Sequence, residues 1–273
     1  MKLRSLLYVP AHSDRFIAKA HERGADAIIL DLEDAVPEAN KTAARENLVA
    51  SIASVTRHGA AAFVRVNAGP RRSDDAIAAA RAGASGLFIP KAGDPNALEA
   101  LAGTLRAEEA ALGRAAMPFV AMIEDPAAML DARAIARVQR VMALSFGAED
   151  FVAVTGGAPT PDVLRYPKLT VHYAAKAAGK LSLGLLQSIA DYADLDALAA
   201  AAREARAHGF DGATCIHPSG VPVLNEAFAP TEAERDWATR VLTAAETSDA
   251  AFTLDGRMVD APVLARARRM LDL

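Results

Sequence analysis

Residues 141–150 read Val141-Met-Ala-Leu-Ser-Phe-Gly-Ala-Glu-Asp150. A nearly unbroken apolar run ends in a glycine and two adjacent acids. A run without alternation is what a strand buried on both faces requires, as in a parallel sheet covered by helices. A glycine and paired carboxylates gain nothing from packing at such a place. They suit a strand end that holds something polar.

Working outward, seven more runs have the same character: SLLYVP (5–10), AIILDLE (27–33), AAFVRVN (61–67), GLFIPKA (86–92), PFVAMIE (118–124), LSLGLLQ (181–187) and ATCIHP (213–218). Helical periodicity fills the gaps, over 13–23, 39–57, 73–82, 95–112, 126–137, 167–178 and 194–208. Several of these segments open on Asp, Ser or Pro, as helix starts do. Gly24, Gly59, Gly83, Gly113, Gly179 and Gly209 follow helices where left-handed caps are expected. Eight strand-then-helix units in about 220 residues predict an α/β fold, a (β/α)8 TIM barrel. A doubly wound open sheet is the rival, but the glycine-rich turn it usually carries after its first strand is missing.

From Pro230 the pattern changes. A helix with a capping-box start at Thr231 and Glu234 is followed by the hairpin signal Asp255-Gly256 and a short amphipathic helix over 261–271. The expected division is a catalytic barrel over 1–229 and a helical and hairpin extension over 230–273, packed on the barrel or on a neighbouring subunit.

Composition removes several classes. Thirty basic and 34 acidic side chains give a net charge of −4, with no basic run, so nucleic acid is not an expected partner. Cys215 is the single cysteine, which excludes an internal disulfide and a cysteine zinc cluster. No apolar run reaches 18 residues, and the amino-terminal run is too short for a secretion signal, so a cytoplasmic protein without a membrane span is expected.

In a parallel barrel the carboxyl ends of the strands open on one face, where function resides. Those ends supply Asp31, Glu33 and Asp34, then Arg65 and Asn67, Lys91, Glu124 and Asp125, Glu149 and Asp150, Gln187, and His217. Ordinary explanations exist for some. Asp125 before Pro126 reads as a helix cap, Glu149 as a solvated acid, His217 as a loop histidine, and Lys91 as one half of a rim ion pair. Arg65 and Glu124 are harder to dismiss, because charges at the ends of buried strands are costly unless paired.

Metal binding uses the set together. Magnesium takes oxygen ligands, commonly one or two carboxylates plus water and substrate. Glu124 and Asp150, on consecutive strand ends, are the expected ligands, with Gly147 letting the chain turn close to the ion. Asp31, Glu33 and Asp34 would hold metal-bound waters. Arg65 would grip an anionic group in a bidentate fork, with Lys91 and Glu124 beside it as substrate-binding groups. A divalent ion next to an arginine suits a 2-keto acid and a neighbouring enolate.

The segments RSLLYVPAHSDRF, ADAIILDLEDAVP with Lys41 and Arg45, FVRVN, LFIPKA, AMIED, LSFGAEDF, DGATCIHPSGVPVLNEAF and LDGRMVDAPVLARARRML, in this order, resemble the citrate lyase beta-subunit-like (CitE-like) branch of the HpcH/HpaI aldolase superfamily. The resemblance runs from Arg4 to Leu271. It implies a TIM barrel that binds magnesium, forms homotrimers or hexamers, and makes or cleaves carbon–carbon bonds, often with acyl-CoA thioesters. It places the metal ligands on Glu124 and Asp150 and the substrate arginine on Arg65. The acidic motif falls on Glu33 and Asp34, which with Arg65 form the expected catalytic group. Three places depart from the family pattern: Pro10-Ala11-His12-Ser13, Tyr166-Pro167-Lys168 with His172, and Leu181–Gln187. The first and third lie where a thioester arm would be received. Two rival activities are a Schiff-base aldolase using Lys91 and a citrate lyase beta subunit that works only in an assembly.

Overall fold

Each of the eight apolar runs contributes a strand in the computed structural model, which describes residues 2–187, 193–248 and 250–271. The strands are β1 (Ser5–Pro10), β2 (Ala27–Asp31), β3 (Ala61–Arg65), β4 (Gly86–Ile89), β5 (Phe119–Ile123), β6 (Val141–Phe146), β7 (Leu181–Leu183) and β8 (Ala213–Cys215). All pairings among them are parallel, in the order β7-β6-β5-β4-β3-β2-β1-β8. A bridge from Leu183 to Gly212 brings the two ends of this order together. Two backbone bonds support it, Gly184 N–H to the Gly212 carbonyl at 2.8 Å and Asp211 N–H to the Ser182 carbonyl at 2.9 Å. A Cβ on Gly212 would lie 1.7 Å from the Leu3 carbonyl oxygen, so this joint admits only glycine. The result is the expected TIM barrel.

The strands are unalternating because both faces are buried. Inside the barrel lie Leu6, Ile29, Phe63, Phe88, Val120, Met122 and Leu183, with Phe63 and Phe88 edge to face at 5.7 Å. Leu7, Ile28, Leu30, Val64, Leu87, Ile123 and Leu144 point outward into the helix layer. That layer comprises α1 (Asp14–Ala20), α2 (Lys41–Glu46), α3 (Leu48–Val55), α4 (Arg72–Ala82), α5 (Pro95–Ala111), α6 (Pro126–Leu130), α7 (Ala132–Arg137), α8 (Ala148–Thr155), α9 (Pro161–Ala177), α10 (Leu195–His208) and α11 (Gly220–Ala227). Gly24, Gly59, Gly83, Gly113, Gly179 and Gly209 all have positive φ, as their positions predict.

The structure differs from the sequence reading in several places. The expected helix over 39–57 breaks at Asn47, which leaves helical geometry at ψ 2°. The helix expected from Pro167 begins at Pro161, capped by Thr160, and Pro167 lies inside it; both prolines fit a first-turn preference and the pattern favoured the wrong one. Helix α8 arises where a strand-end loop was expected, and α11 forms in a Gly- and Pro-containing segment that reads as loop. Strands also stop short of the expected ends, so Glu33, Asn67, Lys91 and Glu124 lie just past β2, β3, β4 and β5.

The chain separates into two compact units, Met1–Phe228 and Ala229–Leu273. The second contains α12 (Glu232–Ala245), the hairpin β9 (Phe252–Leu254) and β10 (Arg257–Val259), and α13 (Ala261–Met270). Thr231 and Glu234 form the predicted capping box. Asp255 and Gly256 both take positive φ, as a two-residue hairpin turn demands. Ala238, Val241, Val259 and Ala267 make its core, with Arg266 over the Trp237 ring at 4.4 Å. Among the described residues no helix is long and apolar enough to cross a membrane.

Candidate active site

Parallel register places Asp31, the last residue of β2, beside Arg65, the last of β3. Their side chains therefore meet on the barrel rim. Asp31 accepts from Arg65 Nε at 2.7 Å and from Nη2 at 2.6 Å, one oxygen each. The remaining nitrogen, Nη1, meets Glu33 at 3.1 Å and Asp34 at 3.0 Å. The guanidinium carbon lies 5.1 Å from the centre of the Tyr8 ring, which rises from β1. Burial works against the charge on Arg65, but the hydrogen bond and charge of Asp31, with Glu33, outweigh it, so Arg65 holds its proton more firmly than a free arginine.

This corrects the expected role of two groups. The fork of Arg65 already grips Asp31, and Nη1 meets Glu33 and Asp34, so the second N–H of Nη2 is the position left for a substrate anion. Asp31 also accepts the backbone N–H groups of Glu33 and Ala35. With both oxygens committed, it is a brace for Arg65 rather than a holder of metal-bound water. Lys41 and Asn67 brace the same loop: Lys41 donates to the carbonyls of Leu32 and Glu33 and to the Asn67 side chain. Asn67 donates from its backbone and side chain to the buried Asp75.

Glu124 is 4% exposed. Its Oε2 accepts the backbone N–H of Lys91 at 2.7 Å. Lys91 adopts φ +50°, a conformation uncommon outside glycine. No lysine or arginine lies in ion-pair range of Glu124 among the described residues. Burial pushes its carboxyl up to about 7; the Asp150 charge adds to this, while the Lys91 N–H and the Lys91 and Arg65 charges pull the other way. Glu33 is likewise pushed up to about 7, first by burial and then by Asp34 and Glu124, against Arg65 and Lys91. Two buried carboxyls thus lie well above the ordinary carboxylate range, Glu33 in the field of Glu124 and Glu124 in that of Asp150.

Asp150 is exposed in the first turn of α8, not on the strand end itself. Gly147 has φ −89°, ordinary extended backbone, so it does not serve to turn the chain as expected. Its reason is space. A Cβ there would stand 2.6 Å from Cγ and 2.9 Å from Oε1 of Glu124. Gly147→Ala should therefore displace Glu124 and weaken divalent-cation binding roughly 10- to 100-fold, measured by calorimetric titration; unchanged affinity would show that the Glu124 position does not matter to the cation.

These donors fit a hard divalent cation. A buried carboxylate without a cationic partner is costly, and an ion beside it would remove that cost. Among the described residues no three His, Cys, Asp or Glu side chains gather into a full ligand set. Glu124, with Asp150 near enough to act on its charge, could hold an ion whose other oxygens come from water and substrate.

The remaining candidates separate. Asp125 caps α6, accepting from Ala128 N–H at 2.8 Å. The Lys91 side chain is 54% exposed, with its ammonium 4.0 Å from Glu33. His217 bonds Ser219, and with Glu149, Gln187, Lys168 and Cys215 it lines a cavity of about 330 Å³ by β6, β7 and β8. None of Glu33, Arg65, Glu124 or Asp150 lines that cavity. Tyr8 was not anticipated; its place in SLLYVP looks like core, and only the barrel's inward alternation brings it under Arg65.

The HpcH/HpaI aldolase/citrate lyase profile matches residues 4–218. The chain belongs to this family. A citrate lyase subunit beta-like protein of Mycobacterium tuberculosis is 36% identical, over 97% of this chain and 93% of its own. A (3S)-malyl-CoA thioesterase of Cereibacter sphaeroides is 31% identical, over 98% and 93%. Among solved structures, protein CitE from Mycobacterium tuberculosis in complex with magnesium, acetoacetate and coenzyme A superposes with a TM-score of 0.79 at 33% identity, covering 98% of this chain and 96% of that one. The citrate lyase beta-like resemblance and the expectation of a lyase are both borne out.

Proposed function

We propose that the protein is a magnesium-dependent carbon–carbon lyase. Its substrate is a 3-hydroxy acyl compound, a CoA thioester of the citramalyl, malyl or citryl type, cleaved to a 2-keto acid and an acyl enolate. The observation that carries this reading is Glu124, a buried carboxylate with no cationic partner among the described residues, in the field of Asp150. The relatives named above support magnesium and an acyl-CoA class of substrate.

Glu124 and Asp150 would hold the ion. Magnesium there would supply positive charge to the carboxylate and keto oxygens of the keto-acid portion. Arg65, fixed by Asp31, would offer its remaining Nη2 N–H to the substrate carboxylate. Glu33, with a carboxyl near neutrality, is suited to take the 3-hydroxyl proton, with Asp34 assisting through water. As that proton leaves, the hydroxyl carbon becomes the keto carbon. The adjacent carbon–carbon bond breaks, and its electron pair passes to the acyl fragment as the enolate, which then takes up a proton. Lys91 serves substrate binding; its exposed ammonium lacks the desolvation that makes a lysine a Schiff-base nucleophile. The same reading includes a cytoplasmic homotrimer or hexamer.

Calorimetric titration with pyruvate, oxaloacetate or glyoxylate should give binding heat only when magnesium is present, and EDTA should remove it. Acetyl-CoA should bind next. Binding that ignores EDTA, or a borohydride-trapped adduct at Lys91, would overturn the metal reading.

A further inference from the structure

One peptide unit of the rim is held at both ends. The Pro90 carbonyl accepts from Arg72 Nη2 at 3.0 Å, and the Lys91 N–H donates to Glu124 Oε2 at 2.7 Å. These two groups belong to the same planar unit. A trans peptide points its C=O and N–H in opposite directions, so the guanidinium and the carboxylate pull on opposite edges of one plate. A carbonyl that accepts from a cation polarises its amide and makes the attached N–H a stronger donor. Arg72 is the first residue of α4, and its Nε is buried without an acceptor. A buried donor left unpaired calls for an explanation, and fixing the plate supplies one. Burial lowers the basicity of Arg72, while Glu33 and Glu124 act to restore it, which puts Arg72 electrostatically in the same group. The left-handed φ of Lys91 is the backbone setting that this double hold maintains.

We propose that Arg72 is a positioning residue for Glu124, acting through the Pro90–Lys91 peptide. The guanidinium fixes the plate, the plate aims the Lys91 N–H, and the N–H occupies Oε2 so that Oε1 is left for a cation. The part concerning the cation rests on the lyase reading; the clamp itself does not.

Two measurements on the full chain test it. In Arg72→Met the Lys91 amide proton should move upfield in the metal-free protein, and magnesium affinity should fall about tenfold with the thermal midpoint held. Arg72→Lys retains a cationic donor to the Pro90 carbonyl and should restore both. The charge effect has the opposite sign, because removing a positive group beside a cation site would by itself tighten magnesium binding. Tighter or unchanged affinity in Arg72→Met, or an unmoved Lys91 amide, would overturn the proposal. A Lys91 amide that responds while the wild-type protein binds no magnesium would support the clamp and overturn the lyase reading.

Discussion

Glu124→Gln is expected to abolish magnesium binding and lower the lyase rate by roughly a thousandfold or more, while the protein stays folded. Metal charge contributes several kcal/mol of transition-state stabilisation, and about 4 kcal/mol corresponds to roughly three decades in rate. Glutamine keeps the shape of the side chain and can still accept the Lys91 N–H. What it loses is the charge, and that charge is costly in this buried setting. The variant should therefore unfold at the same temperature as wild type in EDTA, or a higher one. Asp150→Asn should lose magnesium similarly; Asp150 is exposed in the first turn of α8, so its removal costs the fold little. Near-wild-type turnover in either variant, with metal still bound, would remove these two residues from the centre.

The second large effect concerns pH. Glu33 and Glu124 have carboxyls at about 7 in the folded chain against 4.5 unfolded. A carboxyl raised on folding stabilises fully below its unfolded value, and that contribution is lost as pH rises through the folded value. The metal-free protein should lose stability between about pH 4.5 and 7.5 as both groups give up their protons. Glu109, held down by its bonds to Arg140 and Met117 N–H against burial, works in the opposite sense below the usual carboxylate range, and His172, lowered by burial and then Lys176, offsets part of the loss within the window. Magnesium binds the ionised form of Glu124, so it should restore part of this stability at pH 8 and do little at pH 5. Melting curves in EDTA and in magnesium across this range check the point. A midpoint in EDTA that climbs steadily from pH 5 to 8, or magnesium stabilisation equal at both ends, would show that the two carboxyls do not titrate as stated.

The barrel was legible because burial on both faces leaves a trace in the strands: stretches such as AIIL and FVAMI have no polar residue to alternate with. The site was legible in part for the same reason. Charge at the end of an oily run is costly, so Arg65 and Glu124 stand out without any structure. Partner choice was not legible. Asp31, Glu33 and Asp34 are equivalent acids in sequence, and only strand register decides that Asp31 takes the fork of Arg65. Gly147 shows the same limit. Its identity was noticed, but the reason, clearance for a side chain of the neighbouring strand's end, is a tertiary distance. Arg72 sits in GPRRSDD, which reads as an ordinary polar helix start, and nothing local marks it as touching the Pro90 carbonyl.

The joint at Gly212 has a mechanical meaning. Most adjoining staves of the hoop share three to five paired residues, whereas β7 and the approach to β8 share a single bridge. A hoop yields first at its shortest splice. Any spreading imposed from the rim, by a bulky guest or by thermal agitation, will be absorbed between Leu183 and Gly212, on the flank away from Arg65 and Glu124. Arg65 and Glu124 are thereby set on the well-paired arc of the ring, while Asp150, which follows β6, stands one stave from the splice.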